Sequence, residues 1–157
     1  MAKKKKKPAQ KTAPAKPADT QAKDQAVAMA TAANVPTARF DPAGGPLSAQ
    51  VSSGFAQPGS YTLFLWELNE NTIVMEKAGN FLNSDDDEYQ LPGTNAQQDG
   101  RYAQALVTVA ITPPELHYAV ALSVIQDGKT LATDLKSGTG TAGDVITRTL
   151  WVLSAAQ

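Results

Sequence analysis

The chain has 157 residues, no cysteine and a net charge of −1 at pH 7, and this small net charge conceals two oppositely charged parts. The lack of cysteine excludes disulfides, thiolate nucleophiles, iron–sulfur clusters and cysteine-based zinc sites. Residues 1–24 hold eight lysines and two aspartates, a net charge of +6, and the rest of the chain carries a net charge of −7. The split separates a basic tail from an acidic body, which has room for one domain of about 120 residues.

The basic tail comprises residues 1–35, and its first 25 residues are almost entirely Lys, Ala, Pro, Gln, Thr and Asp. This composition offers almost no branched or aromatic side chains to offset the entropy of ordering, so we expect a disordered tail. A run of five lysines predicts weak, salt-sensitive contact with nucleic acid or an anionic surface. A tail that only increases solubility is the alternative. The five residues are Lys3, Lys4, Lys5, Lys6 and Lys7.

We expect neither a membrane-crossing segment nor an export signal. No apolar run reaches the length that a membrane helix needs, so we expect no transmembrane segment. The alanine-rich residues 26–33 lie too far from the lysines to act as the apolar part of a signal peptide. Together with the lack of cysteine, this predicts a cytoplasmic protein.

From residue 36 to residue 157, short apolar runs alternate with turns rich in Gly, Pro, Asn and Asp, which is the pattern of successive β-strands. Strands are predicted at residues 47–55, 61–68, 72–77, 88–91, 102–111, 118–125, 131–135 and 145–153. The segment 61–68 is apolar on both faces, so it lies inside a layered structure or has one face covered by a loop or another chain. We predict an all-β fold, a single immunoglobulin-like or jelly-roll-like β-sandwich of about seven or eight strands.

The segment 118–135 has the sequence of a β-hairpin. Asp127-Gly128 is the signature of a two-residue type I′ turn. A turn of this length would pair residue 126 with residue 129. It would therefore set Val124, Leu122 and Val120 opposite residues 131, 133 and 135. All three pairs would share one face, and we predict that this face belongs to the core.

The last strand offers two possible outer faces. Trp151 shares a face with residues 145, 147, 149 and 153, whereas Arg148 shares the other with residues 146, 150 and 152. One set must enter the core, so the other presents either Trp151 or Arg148. Trp66 and Trp151 are the candidate ligand or interface aromatics, as core or interface anchors or as platforms for a sugar ring.

The densest acidic group consists of Asp85, Asp86, Asp87 and Glu88. Calcium binds several oxygen ligands supplied by flexible loops, so these four residues are the candidate metal site. They lack the spacing of an EF-hand loop, and consecutive side chains point in different directions. A solvated acidic loop without a bound metal is the alternative.

Catalytic patterns are missing from the sequence. His117 is the only histidine, which excludes sites built from several histidines. No Gly-x-Ser-x-Gly motif is present, and the glycine-rich residues 137–143 lack the Lys-Ser/Thr ending of a phosphate-binding loop. We therefore expect no enzymatic activity and no cofactor.

By elimination, the sequence predicts a non-catalytic binding or assembly module. We expect it to contact a protein partner or itself through a sheet face or end loops, with the basic tail adding weak polyanion contact. The alternative is a carbohydrate- or calcium-binding module that uses the acidic segment 85–88 and an exposed tryptophan.

Overall fold

The structure, a computed structural model, describes residues 35–67, 72–82 and 86–156. In these ranges nine strands form two packed sheets, and one short helix lies between two of the strands in the chain. The predicted all-β sandwich is therefore confirmed. The strands are β1 (Thr37–Phe40), β2 (Leu47–Ser53), β3 (Gly59–Glu67), β4 (Thr72–Asn80), β5 (Asp87–Gln90), β6 (Arg101–Ala110), β7 (His117–Gln126), β8 (Lys129–Thr139) and β9 (Val145–Ala156), and the helix is α1 (Asn95–Gln98). The disorder predicted for the tail concerns residues that lie almost wholly outside the described ranges.

The five-stranded sheet has the order β1-β9-β6-β3-β4, and the four-stranded sheet has the order β5-β2-β7-β8. Every neighbouring pair is antiparallel except β1, which runs parallel to β9. The sequence pattern does not reveal β1, because a strand of four residues is too short to show an alternation. This strand accounts for the ninth element, beyond the seven or eight expected.

The core lies between the sheets and is built from alternate residues of each strand, as the two-residue period of a strand requires. In β3 the buried set is Tyr61, Leu63 and Leu65, and in β9 it includes Leu150 and Val152. In β6 the buried positions are 101, 103, 105, 107 and 109. Each of these strands therefore presents its remaining side chains on the outer face of the five-stranded sheet.

The predicted turn of the β7–β8 hairpin and the pairing of residue 126 with residue 129 are confirmed, but the three pairs predicted beyond them are wrong. Asp127 and Gly128 both have positive φ, 50° and 70°, as a type I′ turn requires. The register shifts between Ile125, which is opposite residue 130, and Val124, which is opposite residue 132, so Leu131 is an extra residue on β8.

This bulge reverses which side chains of β8 face the core. One extra residue moves every later side chain to the opposite face. Asp134 is therefore opposite Leu122 and only 8% exposed, whereas Leu135 is 59% exposed. Leu131 packs against the core as predicted, but beyond it the core face of β8 holds Asp134 instead of residues 133 and 135.

Candidate binding face

The outer face of the five-stranded sheet is uncharged over its three central strands. The residues that point outward from β3, β6 and β9, here called the aromatic face, are Ser60, Thr62, Phe64, Trp66, Tyr102, Gln104, Leu106, Thr108, Val145, Thr147, Thr149, Trp151 and Leu153. None of these residues is charged at neutral pH. Burial raises the pKa of Tyr102, so its hydroxyl also stays neutral.

Strand register brings the aromatic side chains into a continuous band. Trp66 is directly opposite Tyr102, and Phe64 and Trp151 are both opposite Gln104 in the next row. The ring centroids of Phe64 and Trp66 are 5.7 Å apart, those of Trp66 and Tyr102 are 6.1 Å apart, and those of Tyr102 and Trp151 are 5.2 Å apart. These separations lie within the range of favourable ring contacts, so the band stabilises itself.

A hydrogen bond orients the middle of the band. The indole Nε1–H of Trp66 donates to Oε1 of Gln104 over 3.0 Å. Because the N–H of Trp66 already has an acceptor, an apolar surface can cover the indole ring without leaving a buried donor unpaired. Gln104 therefore serves as the polar partner that a tryptophan needs at a desolvated site.

Leucine and isoleucine side chains add exposed apolar surface next to the rings. Leu106 on β6 is 44% exposed, and Ile73 on the edge strand β4 is 43% exposed and opposite Trp66. Exposed apolar side chains beside an aromatic band are typical of interaction sites rather than of ordinary solvated surface.

The sequence left open whether Trp151 or Arg148 faces outward, and the structure places Trp151 on the aromatic face. Leu150 and Val152 are buried, which puts Trp151 on the opposite side of β9. The guanidinium of Arg148 instead reaches across the sandwich, where its Nη2 donates to the Tyr118 hydroxyl over 2.6 Å.

An inward-facing carboxylate holds the backbone of Trp151. The Trp151 backbone N–H donates to Asp134 Oδ2 over 3.1 Å, and Lys136 Nζ donates to Asp134 Oδ1 over 2.8 Å. Because Asp134 lies on β8, this contact links the two sheets directly behind the aromatic face. The bulge in β8 is what turns Asp134 toward β9.

The outer face of the four-stranded sheet has a different chemistry. Its central strands present mainly small side chains, together with Ile125 and, at the start of β7, His117; the small or polar ones are Ser48, Gln50, Ser52, Ala119, Ala121 and Ser123. The hydroxyls of Ser48 and Ser123 are already bonded, to Glu88 and to Thr133 respectively. Large aromatic side chains are therefore concentrated on one outer face of the sandwich.

The structure does not bring the candidate metal ligands together. Asp85 lies outside the described residues, and Asp86 is exposed just before β5. Asp87 points into the sandwich and accepts a hydrogen bond from the Tyr61 hydroxyl, whereas Glu88 points outward and accepts one from Ser48. Within residues 35–67, 72–82 and 86–156, no three acidic or histidine side chains form a group that could hold a metal ion.

The Tyr61–Asp87 contact has a structural role. Burial, reinforced by the hydrogen bonds with Asp87 and Tyr89, raises the pKa of Tyr61 far above its ordinary value. The tyrosine therefore remains a hydrogen-bond donor, and one oxygen of Asp87 is engaged inside the protein. Calcium binding at this segment stays a prediction.

His117 is engaged with a neighbouring surface residue. Its Nδ1 lies 2.7 Å from Oε1 of Glu115, and its ring stacks on Phe55 at a centroid distance of 5.7 Å. Hydrogen bonds from the backbone and side chain of His117 lower the pKa of Glu115. These contacts explain how the histidine is held at the surface, and they indicate no particular reaction.

Comparison with known proteins adds no further information about this site. No protein family, no curated protein and no solved structure matches the chain. In the part of the chain that the structure describes, no helix has the length and apolarity that a membrane crossing requires.

Of the candidate residues, the structure brings together Trp66 and Trp151, and it shows that Tyr102 connects them. The sequence pattern contained a usable signal for Tyr102. Every second residue from 103 to 111 is apolar, which marks one buried face of the strand. Tyr102, Gln104 and Leu106 therefore had to lie on the opposite face. Their position beside both tryptophans depends on strand order, which the pattern does not contain.

Proposed function

We propose that this protein is a non-catalytic binding module that contacts another protein through the aromatic face. The observation that supports this most directly is the band of four aromatic rings on three adjacent strands. The centres of protein–protein interfaces are rich in Trp, Tyr and Phe and poor in charged side chains, and the aromatic face has both properties.

The energetics of the face agree with this role. Aromatic side chains have few rotatable bonds, so they bury a large area at a small cost in conformational entropy. The ring contacts and the Trp66–Gln104 hydrogen bond hold the band in place before any partner arrives. A preorganised surface of this kind loses less free energy to ordering when it binds.

A carbohydrate is the second candidate ligand, because aromatic rings beside an amide offer both a stacking surface and a polar group. The aromatic face would have to bind a sugar by itself. A sugar site that also uses calcium would need the acidic segment 85–88. That segment runs into β5, which belongs to the other sheet. The hydrogen bond that Gln104 already makes to Trp66 favours a protein partner over a sugar, which needs many hydroxyl contacts.

The test compares two leucine-to-lysine variants of the full chain. Leu106→Lys places a charge in the aromatic face, and Leu135→Lys places the same charge at an exposed position on the other sheet. Partners retained by the immobilised wild-type protein are identified, purified and titrated against each variant, and soluble glycans are titrated in parallel. Salt high enough to suppress contacts of the basic tail is present throughout.

We expect Leu106→Lys to weaken binding of the identified protein at least tenfold, as truncation or charging of an interface centre typically does. Leu135→Lys is expected to bind like the wild type. Equal binding by all three proteins would contradict the proposal. Glycan binding that only Leu106→Lys abolishes, with no protein partner, would favour the sugar candidate.

We further propose that the basic tail adds weak, unspecific contact with polyanions. The support is its net charge of +6 over residues 1–24, including the run of five lysines. The tail lacks the arginines and interleaved aromatics with which proteins read or stack on bases. Contact with nucleic acid would therefore depend on phosphate charge alone.

A further inference from the structure

Each of the two edge strands that bound the aromatic face points one charged side chain outward. On β1, Ala38 and Phe40 are buried, so the exposed Arg39 between them points outward. On β4, Glu76 is exposed and opposite the outward-facing Phe64, whereas the neighbouring Lys77 is opposite Leu63, on the side of the strand that faces the other sheet. The uncharged centre therefore has a positive group at one rim and a negative group at the other.

We infer that the aromatic face binds the same face of a second copy of this chain, forming a two-fold symmetric dimer. This inference rests on the proposed function and identifies its partner. Homodimers are the commonest protein assemblies, and they require a patch that is complementary to itself. A face with an apolar centre and opposite charges at its two rims meets that requirement.

The symmetry explains why the charges matter. Two sheets that pack face to face keep their strands nearly aligned. A two-fold axis in the plane of the interface, running along the strands, places the β1 edge of each copy over the β4 edge of the other. Arg39 of one copy then lies at the same rim as Glu76 of the second copy, and this occurs at both rims.

The two charges lie at different heights along the strands. Arg39 is directly opposite position 155 of β9. Glu76 lies in the cross-strand row that contains Phe64, Gln104 and Trp151, so it corresponds to position 151 of β9. The attraction is therefore between rims and does not require one defined ion pair. It acts mainly on orientation and association rate, as rim charges usually do.

The centre of the face is compatible with the same axis. Strand β6 is the middle strand of five, so Tyr102, Gln104 and Leu106 lie close to the axis and would meet their own copies. Leucine and tyrosine side chains pack well against themselves. An amide carries both donors and an acceptor, so glutamine is also complementary to itself.

The size of the face is sufficient for a stable dimer. The five strands contain 44 residues in all, and at about 3.3 Å of strand length per residue and about 4.8 Å between strands they present about 700 Å² on one side. Stable interfaces bury about 1,200 to 2,000 Å² in total, and two such faces together contribute about 1,400 Å². The outer face of the four-stranded sheet exposes Leu135 but has mainly small side chains on its central strands, and its described residues form no comparable band of aromatic rings.

The experiment measures the mass of the full chain in solution by sedimentation equilibrium over a wide range of concentrations. We expect the wild type and Leu135→Lys to reach twice the 16.5 kDa of one chain. Leu106→Lys and, as a second variant at a neighbouring position on β9, Thr149→Lys are expected to remain single chains. Circular dichroism and thermal melting verify that each variant is folded.

Charge reversal tests the orientation. Arg39→Glu and Glu76→Arg each replace attraction with repulsion at both rims, and we expect each to weaken dimerisation about three- to tenfold at low salt. The double variant restores opposite charges at both rims, so it is expected to dimerise about as well as the wild type. Additive weakening in the double variant would overturn this orientation.

The remaining outcomes separate this inference from the proposed function. A wild-type chain that stays monomeric would overturn the dimer, yet binding of another protein that Leu106→Lys abolishes would leave the proposed function intact. Monomeric protein with strong amide-exchange protection in residues 25–33 would show instead that the chain covers the face with its own segment. A dimer that Leu135→Lys disrupts and Leu106→Lys does not would overturn the choice of face.

Discussion

Two leucine-to-alanine substitutions in the β7–β8 hairpin test the bulge that reverses β8. Leu122 on β7 is completely buried, and Leu135 on β8 is 59% exposed. The unbulged pairing predicted from the turn would bury both side chains on one face. The structure therefore predicts very different costs for Leu122→Ala and Leu135→Ala, although both remove the same atoms.

The expected costs follow from burial. Truncating a fully buried leucine loses transfer free energy and leaves a cavity, so Leu122→Ala should lower the free energy of unfolding by about 2 to 4 kcal/mol. Leu135 buries only about two-fifths of its side chain, and full burial of a leucine contributes about 2 kcal/mol, so Leu135→Ala should cost about 0.8 kcal/mol or less. Lys129→Ala, at the exposed start of β8, should cost almost nothing.

Urea unfolding monitored by the fluorescence of Trp66 and Trp151 measures these differences. The midpoints convert to free energies provided that the slope of free energy against urea is the same in each variant. Comparable losses from Leu122→Ala and Leu135→Ala would refute the bulged register. A small loss from Leu122→Ala would refute its place in the core.

Four further predictions concern Asp134, Tyr61, the acidic segment and the basic tail. Asp134→Ala leaves the Trp151 backbone N–H unpaired and should cost about 1 to 3 kcal/mol, measured by urea unfolding. The pKa of Tyr61 is raised in the folded state, so its contribution to stability should be complete below the unfolded pKa of about 10 and should be lost as the pH rises above it. Melting curves should therefore show a less steep alkaline loss of stability in Tyr61→Phe. Calcium should raise the melting temperature no more than sodium at matched ionic strength, because Asp87 is already engaged inside the sandwich. Binding to duplex DNA should be independent of sequence, should weaken with salt at a log–log slope of about −0.9 per phosphate contact, and should disappear when residues 1–34 are deleted.

Each of these predictions has a matched control or a contrary result. Asp134→Asn keeps an acceptor for the Trp151 N–H, so a cost equal to that of Asp134→Ala would argue against this hydrogen bond. An alkaline loss of stability that Tyr61→Phe leaves unchanged would point to other groups. A calcium-specific stabilisation that vanishes when residues 85–87 are changed to Asn would establish the metal site. Sequence-selective DNA binding by the shortened chain would assign binding to the domain.

Local pattern was sufficient for much of the fold. The period-two alternation in residues 103–111 identifies a buried face, and Asp127-Gly128 identifies a hairpin turn, because each property belongs to a short stretch of chain. The all-β sandwich follows from the sum of such stretches. The same reasoning explains why β1 was missed, since four residues carry too little pattern.

The candidate face could be predicted only in part. The sequence marks Trp66 and Trp151 as unusual and leaves two options for the face of the last strand. It contains no information on which strands are neighbours. The bulge at Leu131 was likewise invisible, because a hairpin turn sets the pairing only until an extra residue interrupts it.

By itself, the sequence determined the charge division of this protein, its strand-forming segments and which side chains of most strands point the same way. These properties are local, because they depend on composition and on a two-residue period. The tertiary structure alone decided that Tyr102 lies between Trp66 and Trp151, and that Asp134 turns inward behind them. Strand order and register arise from packing between residues far apart in the chain, so they became visible only when the two sheets were in place.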